Sequence, residues 1–354
     1  MVVASSTSNA HGSGRAEVDA RRPRLRARSA LVTISRERSR LVPRSGHRPM
    51  KKHRLLVLVL AVAALVLRAA RAEAAVVVVT TTPDLAAIAR HVGGGAVEVK
   101  SLALATQDPH FVDARPNLAL LLNKADLLVV QGLDLEVGWL PVLQTGARNP
   151  KIQTGADGYL DASTFVTPLD APSGTVSRAQ GDIHPGGNPH YLQDPRNGAK
   201  VGRAIAARLG KIDPANAVGY DERASQLEKD AASLAARLAS KAAAIDVAKR
   251  KVVVYHRSWS YLQTWLGLTE VGAIEPKPGI PPDPAHIARL LVTMKALGAR
   301  AILAETYHPQ SAPKLLAEKS GAALLVLPGG TGDGERYLDH VQQVAERTLA
   351  SIAR

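Results

Sequence analysis

The sequence predicts an α/β protein: two α/β lobes with mostly parallel sheets, joined by one long α-helix. Three observations carry this. From residue 75 onward, short β-branched or apolar runs alternate with helical stretches, the rhythm of parallel strands covered by helices. The rhythm stops at residue 213, where an Ala- and Leu-rich segment runs to 245 with no proline after Pro214. It restarts at residue 251 and continues to the C-terminus.

The elements follow in order. AVVVVTTTP (75–83) reads as a strand, DLAAIARHVGG (84–94) as a helix stopped by glycine, and VEVKSLAL (97–104) as a strand. After the loop ATQDPHFVDARP come helix 117–125 and the apolar strand DLLVVQG (126–132). Residues 150–195 are loop-rich, and helix 197–212 follows. In the long segment Asp213 is placed to cap and Pro214 suits a first helical position. A helix of about 30 residues spans about 45 Å, more than one small lobe requires. The second lobe has strand KVVVYH (251–256), a Pro-rich stretch 274–284 and helix 285–298. Strand 299–305, helix 311–321, strand 322–328 and helix 337–354 complete it. No short sequence repeat is visible. The expected division is therefore an N-terminal lobe over 75–212, a linking helix over 213–246 and a C-terminal lobe over 247–354.

Charge is unevenly spread. Residues 1–50 hold eleven arginines and three acids, and residues 51–74 add a net +4, leaving about +2 of the chain's +14 for the rest. The basic character belongs to the N-terminal region and gives no argument for nucleic-acid binding by the folded body. MKKHR followed by thirteen apolar residues, Leu55 to Leu67, and then RAARAEAA has the layout of a secretory signal peptide. The apolar run is short for a membrane span, which needs about 20 residues. Cleavage after either small-x-small pattern leaves a mature chain beginning at Glu73 or Ala75. The 49 residues before Met50 are Arg- and Ser-rich; translation from Met50, or a disordered extension, accounts for them. There is no cysteine, hence no disulfide and no lipid-attachment site. The expectation is a soluble monomer outside the cytoplasmic membrane, in the periplasm of a Gram-negative cell.

Three histidines occupy chemically useful places. His110 lies in the loop after strand 97–104, His190 before helix 197–212, and His256 at the end of KVVVYH. Ligand groups of open α/β sheets collect beyond the carboxyl ends of strands. Pro109 and Pro189 precede the first two and stiffen their presentation. A lone strand-end histidine is more often a hydrogen-bonded structural residue, but three in one exported chain point to a divalent metal such as zinc, which takes about four ligands.

These residues sit in stretches that resemble the zinc/manganese solute-binding proteins of ABC importers. The stretches are TQDPHFVDARPNLALLLNKADLLVVQGLDLEVGWLP (106–141), GGNPHYLQDPRNG (186–198), VVVYHRSWSYL (252–262), EPKPGIPPDPAHI (275–287) and AILAETYHP (301–309). The resemblance covers nearly all of 76–354. It implies two lobes joined by a rigid helix with the metal between them, and His110, His190 and His256 as ligands. Manganese-preferring members often carry Glu at the third position, so His256 implies Zn²⁺ over Mn²⁺ as cargo. The family commonly takes a fourth ligand from an Asp after its last strand, where this chain has Pro328. Glu305, Asp333 or water stand as replacements, with Glu305 placed first. His184 and His308 read first as solvent-facing loop residues, with a place behind the ligands or a transient metal-capture role as the alternatives.

The leading function is a periplasmic receptor, not an enzyme, that captures Zn²⁺ and delivers it to an ABC permease. The alternative is an exported zinc-dependent hydrolase with Glu305 as base, although the chain has no HExxH motif. An adhesin or other structural protein would leave the histidines without a role.

Overall fold

A computed structural model describes residues 75–174, 181 and 183–354. The signal-like stretch 50–74 and the segment before it lie outside the described residues. Among those described, no helix is long and apolar enough to cross a membrane.

The first sheet is built from β1 (Val76–Thr80), β2 (Val97–Ser101), β3 (Leu127–Val130) and β4 (Tyr159–Asp161) in the order β2-β1-β3-β4. The second uses β5 (Lys251–Val254), β6 (Thr269–Ala273), β7 (Ala301–Glu305) and β8 (Ala323–Leu327) in the order β6-β5-β7-β8. Every strand pairing is parallel. The two orders are the same topology written twice, a repetition that leaves no trace at the level of short sequence similarity. The order reverses beside the first strand of each sheet, between β1 and β3 and between β5 and β7, and such switch points open crevices at the strands' carboxyl ends.

Helices cover both faces, so the strands read as continuous apolar runs rather than alternations. Within them the side chains still alternate. Val76, Val78, Leu127 and Val129 face one cluster, while Val79, Leu128 and Val130 face another. In the second sheet Val252, Val254, Ala301 and Leu303 turn one way, and Val253, Ile302 and Ala304 the other. The inner faces of both sheets belong to a single cluster. It is continued by α1 (Pro83–Gly93), α4 (Pro195–Ile212), α5 (Ala217–Ala243) and α9 (Tyr337–Ala353). The shorter helices α2 (Pro116–Asn123) and α3 (Leu140–Ala147) serve the first lobe; α6 (Ser260–Leu266), α7 (Pro284–Leu297) and α8 (Ser311–Ser320) serve the second.

The long helix forms as one unbroken α-helix of 27 residues, about 40 Å. Its buried positions Tyr220, Ala224, Leu227, Ala231, Leu234, Leu238 and Ala242 recur at three- and four-residue steps, giving one apolar stripe. A 3₁₀ turn over Pro214–Asn216 precedes it, so the first proline belongs to that turn. Asp213 makes no side-chain capping bond to the backbone of the turn. Its carboxylate instead accepts from Asn216 Nδ2 (2.8 Å) and Tyr220 Oη (2.5 Å), which fixes the helix start from within its own first turn.

Candidate metal centre

His110 and His190 are presented by the same local device. Asp108 and Asn188 each stand two residues before the histidine, with proline between. Asp108 Oδ1 accepts from the His110 backbone N–H (3.0 Å), and Asn188 Oδ1 accepts from the His190 backbone N–H (2.9 Å). This is an Asx turn whose middle residue has its φ fixed by the proline ring. The carbonyl of each proline is also held. Trp139 Nε1 donates to Pro109 O (3.0 Å) and Gln131 Nε2 donates to Pro189 O (2.7 Å).

The loop carrying His190 is further tied to both sheets. Tyr191 Oη donates to Gln131 O (2.6 Å) on the first-lobe side. From the second lobe, Tyr261 Oη donates to Asn188 O (2.8 Å) and Trp265 Nε1 donates to Gln193 O (2.9 Å), while Asn188 Nδ2 donates to Arg257 O (2.7 Å). Asp194 then caps α4 by accepting from Arg196 N (2.9 Å). His256 lies two residues past the end of β5 and is 7% exposed.

The ligand nitrogens of His110, His190 and His256 all lie within 4.8 Å of one another. Two rings are oriented by carboxylates. His110 Nδ1 lies 2.7 Å from Asp108 Oδ1, and His256 Nδ1 lies 2.8 Å from Glu275 Oε2. With the proton held on Nδ1, each ring turns an Nε2 lone pair toward the cluster, an arrangement that also raises ligand basicity. His190 Nε2 is buried with no hydrogen-bond partner. A buried imidazole nitrogen without a partner is costly unless something else uses its lone pair.

Protonation follows burial and neighbours. Burial holds the His190 pKa well below the ordinary value, and the charges of His110, His256, His184 and His308 add to this. Burial disfavours the cation at His256 as well, but the hydrogen bond and charge of Glu275, with the charges of Glu305 and Asp108, outweigh it and raise its pKa. Burial alone would raise Asp108; its bonds and attraction to His110 hold it below the usual carboxylate range.

Glu305 ends β7 and is 1% exposed. It stands outside the group whose ligand atoms are all within 4.8 Å. Neither carboxylate oxygen has a hydrogen-bond partner among the described residues, and His308 Nε2 lies 3.3 Å from Oε2. Asp333 is exposed. His308 is not solvent-facing as its loop context suggests: its ring stacks on Tyr255 at 4.1 Å between centroids, with 10% of the side chain exposed.

His184 also departs from the expected solvent-facing position. Its Nε2 lies 3.3 Å from His110 Nε2. Burial, then the charges of His110 and His256, push its pKa down to about 4. The loop beneath it is strained. Gly132, Leu133 and Asp134 all have positive φ, a conformation that costs of order 1–3 kcal/mol at a non-glycine residue. The turn brings Glu136 back to accept from Gln131 N (2.7 Å) and Gly132 N (3.1 Å). Burial pushes the Glu136 carboxyl up to about 7. Sequence context places His184 first in solvent and does not single out Asp108, Asn188 or Glu275. The repeated Asx-Pro-His spacing was a usable signal for Asp108 and Asn188, whereas nothing local marks Glu275, 19 residues beyond His256.

Clefts open onto the histidines from more than one side. One of about 490 Å³ is lined by His110, Phe111, Trp139 and His184. Another, about 230 Å³, is lined by His184, His190, His256 and Arg257.

Among solved structures, a crystal structure of ZnuA superposes with a TM-score of 0.66 at 21% identity, covering 78% of this chain and 99% of that one, which shows the shared fold. The high-affinity zinc uptake system protein ZnuA of Paracoccus denitrificans (strain Pd 1222) is 29% identical over 289 residues, 71% of this chain and 82% of the relative. The protein of the same description from Brucella abortus (strain 2308) is 29% identical over 127 residues; the matched stretch spans 36% of each chain. The family profile described as "ZnuA: Zinc-uptake complex component A periplasmic" matches residues 78–350. That match takes in both sheets and the helix between them, and the chain belongs to this family of periplasmic zinc-uptake components.

Proposed function

We propose that the protein is a periplasmic receptor that captures a divalent transition metal, Zn²⁺ foremost, and delivers it to an ABC permease. The convergence of three imidazoles from three loops carries the reading. Imidazole suits zinc, whereas manganese favours oxygen donors. His110, His190 and His256 are the ligands in this reading. Glu305 enters as the buried carboxylate of the site. Its charge already acts on His256, and it offsets part of the ion's charge, which three neutral imidazoles do not. The two clefts give the ion a path from solvent. The body acts as a monomer and binds no nucleic acid, consistent with the small net charge outside the N-terminal region. Export through the signal-like stretch beginning at Met50 belongs to the same reading.

A hydrolase would need an open metal position and a free general base beside it. Glu305, the base named for that role, lies outside the histidine group and beside His308. Calorimetric titration of metal-stripped protein tests the receptor reading. One Zn²⁺ should bind per chain, more tightly than Mn²⁺; a chain that binds neither ion has some other function.

A further inference from the structure

We propose that His184 is the fourth ligand of this site, so that the metal is held by four imidazoles. The inference rests on the receptor reading above and deepens it.

The distance is the first ground. Zinc in a protein site is tetrahedral with Zn–N bonds of about 2.0–2.1 Å, which puts neighbouring ligand atoms about 3.3 Å apart. His184 Nε2 and His110 Nε2 are separated by 3.3 Å, the edge of such a tetrahedron, while His184, like Glu305, stands outside the group of His110, His190 and His256 whose ligand atoms all lie within 4.8 Å, so its ring must close onto the ion from the His110 side. The two rings are 5.3 Å apart between centroids, matching the 5.2 Å of His110 to His190 and to His256.

The second ground is proton placement. Asp108 occupies His110 Nδ1, so His110 Nε2 offers only a lone pair. His184 Nε2 faces that lone pair at 3.3 Å, and with the His184 proton on Nδ1 both Nε2 atoms can aim lone pairs at one ion.

Position supplies the third ground. His184 lines both clefts. Its segment is closed by a turn, with Gly187 N donating to His184 O (3.1 Å), and is held behind by Asn188 N donating to Leu169 O (2.8 Å). Leu133, in its left-handed conformation, packs against Gly186. The fourth imidazole therefore sits on the outer, solvent-side edge of the group. There it can take a hydrated ion first and close behind it. A set of four nitrogens also sharpens the preference for Zn²⁺ over oxygen-seeking Mn²⁺.

The test uses the whole protein loaded with Zn²⁺ alone and, separately, with Co²⁺ alone. Calorimetry gives affinity, zinc-edge X-ray absorption gives the number of imidazoles, and the visible Co²⁺ bands report tetrahedral geometry. The variants are His184→Ala, His184→Gln, Glu305→Gln and His190→Ala, each checked for an unchanged thermal transition. Four imidazoles in the wild type, three in both His184 variants, and affinity lower by more than about 100-fold would support the proposal, because losing a direct ligand exceeds the 10–100-fold typical of an outer partner. An unchanged imidazole count and affinity in both His184 variants, with binding still lost in His190→Ala, would overturn it while leaving the receptor reading intact; His184 would then be only a hydrogen-bond partner of His110. Loss of tetrahedral coordination in Glu305→Gln, with the His184 variants unaffected, would overturn it in favour of the carboxylate. A wild type that binds no Zn²⁺ would overturn the proposal and the receptor reading together.

Discussion

Glu275 Oε2 lies 2.8 Å from His256 Nδ1, and both side chains are about 10% exposed. The carboxylate fixes the ring's tautomer and its direction, so it acts on the metal through His256. Glu275→Gln keeps the shape, but the amide has no charge with which to polarise the ring. The expected cost is about 10–100-fold in Zn²⁺ affinity, the usual range for an outer partner of a ligating histidine. Competition with a chelator of known affinity measures it.

His256 also sets the pH dependence of binding. Its pKa in the metal-free fold is raised above the ordinary value of about 6.5, so it is the histidine that protons reach first on acidification. Metal binding needs it neutral. Affinity should therefore fall as pH drops through that raised pKa, beginning above 6.5, and Glu275→Gln should move the fall to lower pH. Zinc titrations between pH 5.5 and 8 show the shift.

The stability of the metal-free fold should also depend on pH, through His184, whose pKa shift is opposite in sign to that of His256. The native pKa of His184 is about 4, below the unfolded value of about 6.5. Between those values the unfolded chain binds a proton that the fold does not, so stability is lost as pH falls from 6.5 toward 4. His190, also held low, adds in the same direction. His256, being raised, works the other way: its contribution is present below 6.5 and is lost as pH rises through its native pKa. Thermal melts of apoprotein should drop across pH 6.5 to 4, and His184→Ala should reduce the drop.

Tyr261 joins the second lobe to the loop of His190. Its hydroxyl accepts from Leu169 N (2.9 Å) and donates to Asn188 O (2.8 Å) in a buried setting. Tyr261→Phe leaves an N–H and a carbonyl unpaired, at about 1–3 kcal/mol. Calorimetric melting should show the loss, and zinc affinity should fall with it, because Asn188 also presents His190.

His190→Ala should weaken Zn²⁺ binding by more than about 100-fold. The fold should persist, since Tyr191, Trp265 and Asp194 keep their bonds to the same loop. Circular dichroism and calorimetry together check both halves.

The sequence makes the fold and the three converging histidines legible because those features are local. Periodicity marks the strands, the stop at residue 213 marks the helix, and Pro109 and Pro189 mark two stiff turns. α3, β4, α6 and β6 are not legible in the sequence; β4 has three residues, and β6 is an edge strand interrupted by Gly272. Glu305 lies at the end of β7 as expected, but the separation between that strand end and the histidines depends on how two sheets meet. His184 was misjudged for a related reason. Pro185-Gly186-Gly187 reads as a mobile spacer, whereas contacts from distant Leu133 and Leu169 hold it in place.

The inner faces of both sheets share one apolar cluster, from Val78 and Leu127 to Val252 and Leu303. Swinging the sheets apart would carry those side chains into water, at about 25 cal/mol for each Å² exposed. Such an excursion is therefore costly, and heating should melt the body as one cooperative transition with a single calorimetric peak. The residence time of the ion is then set by the rim loops around His110 and His184 and not by any jaw-like motion. A docking partner that displaces those loops acts as a catalyst of dissociation, speeding off-rate while the core stays folded.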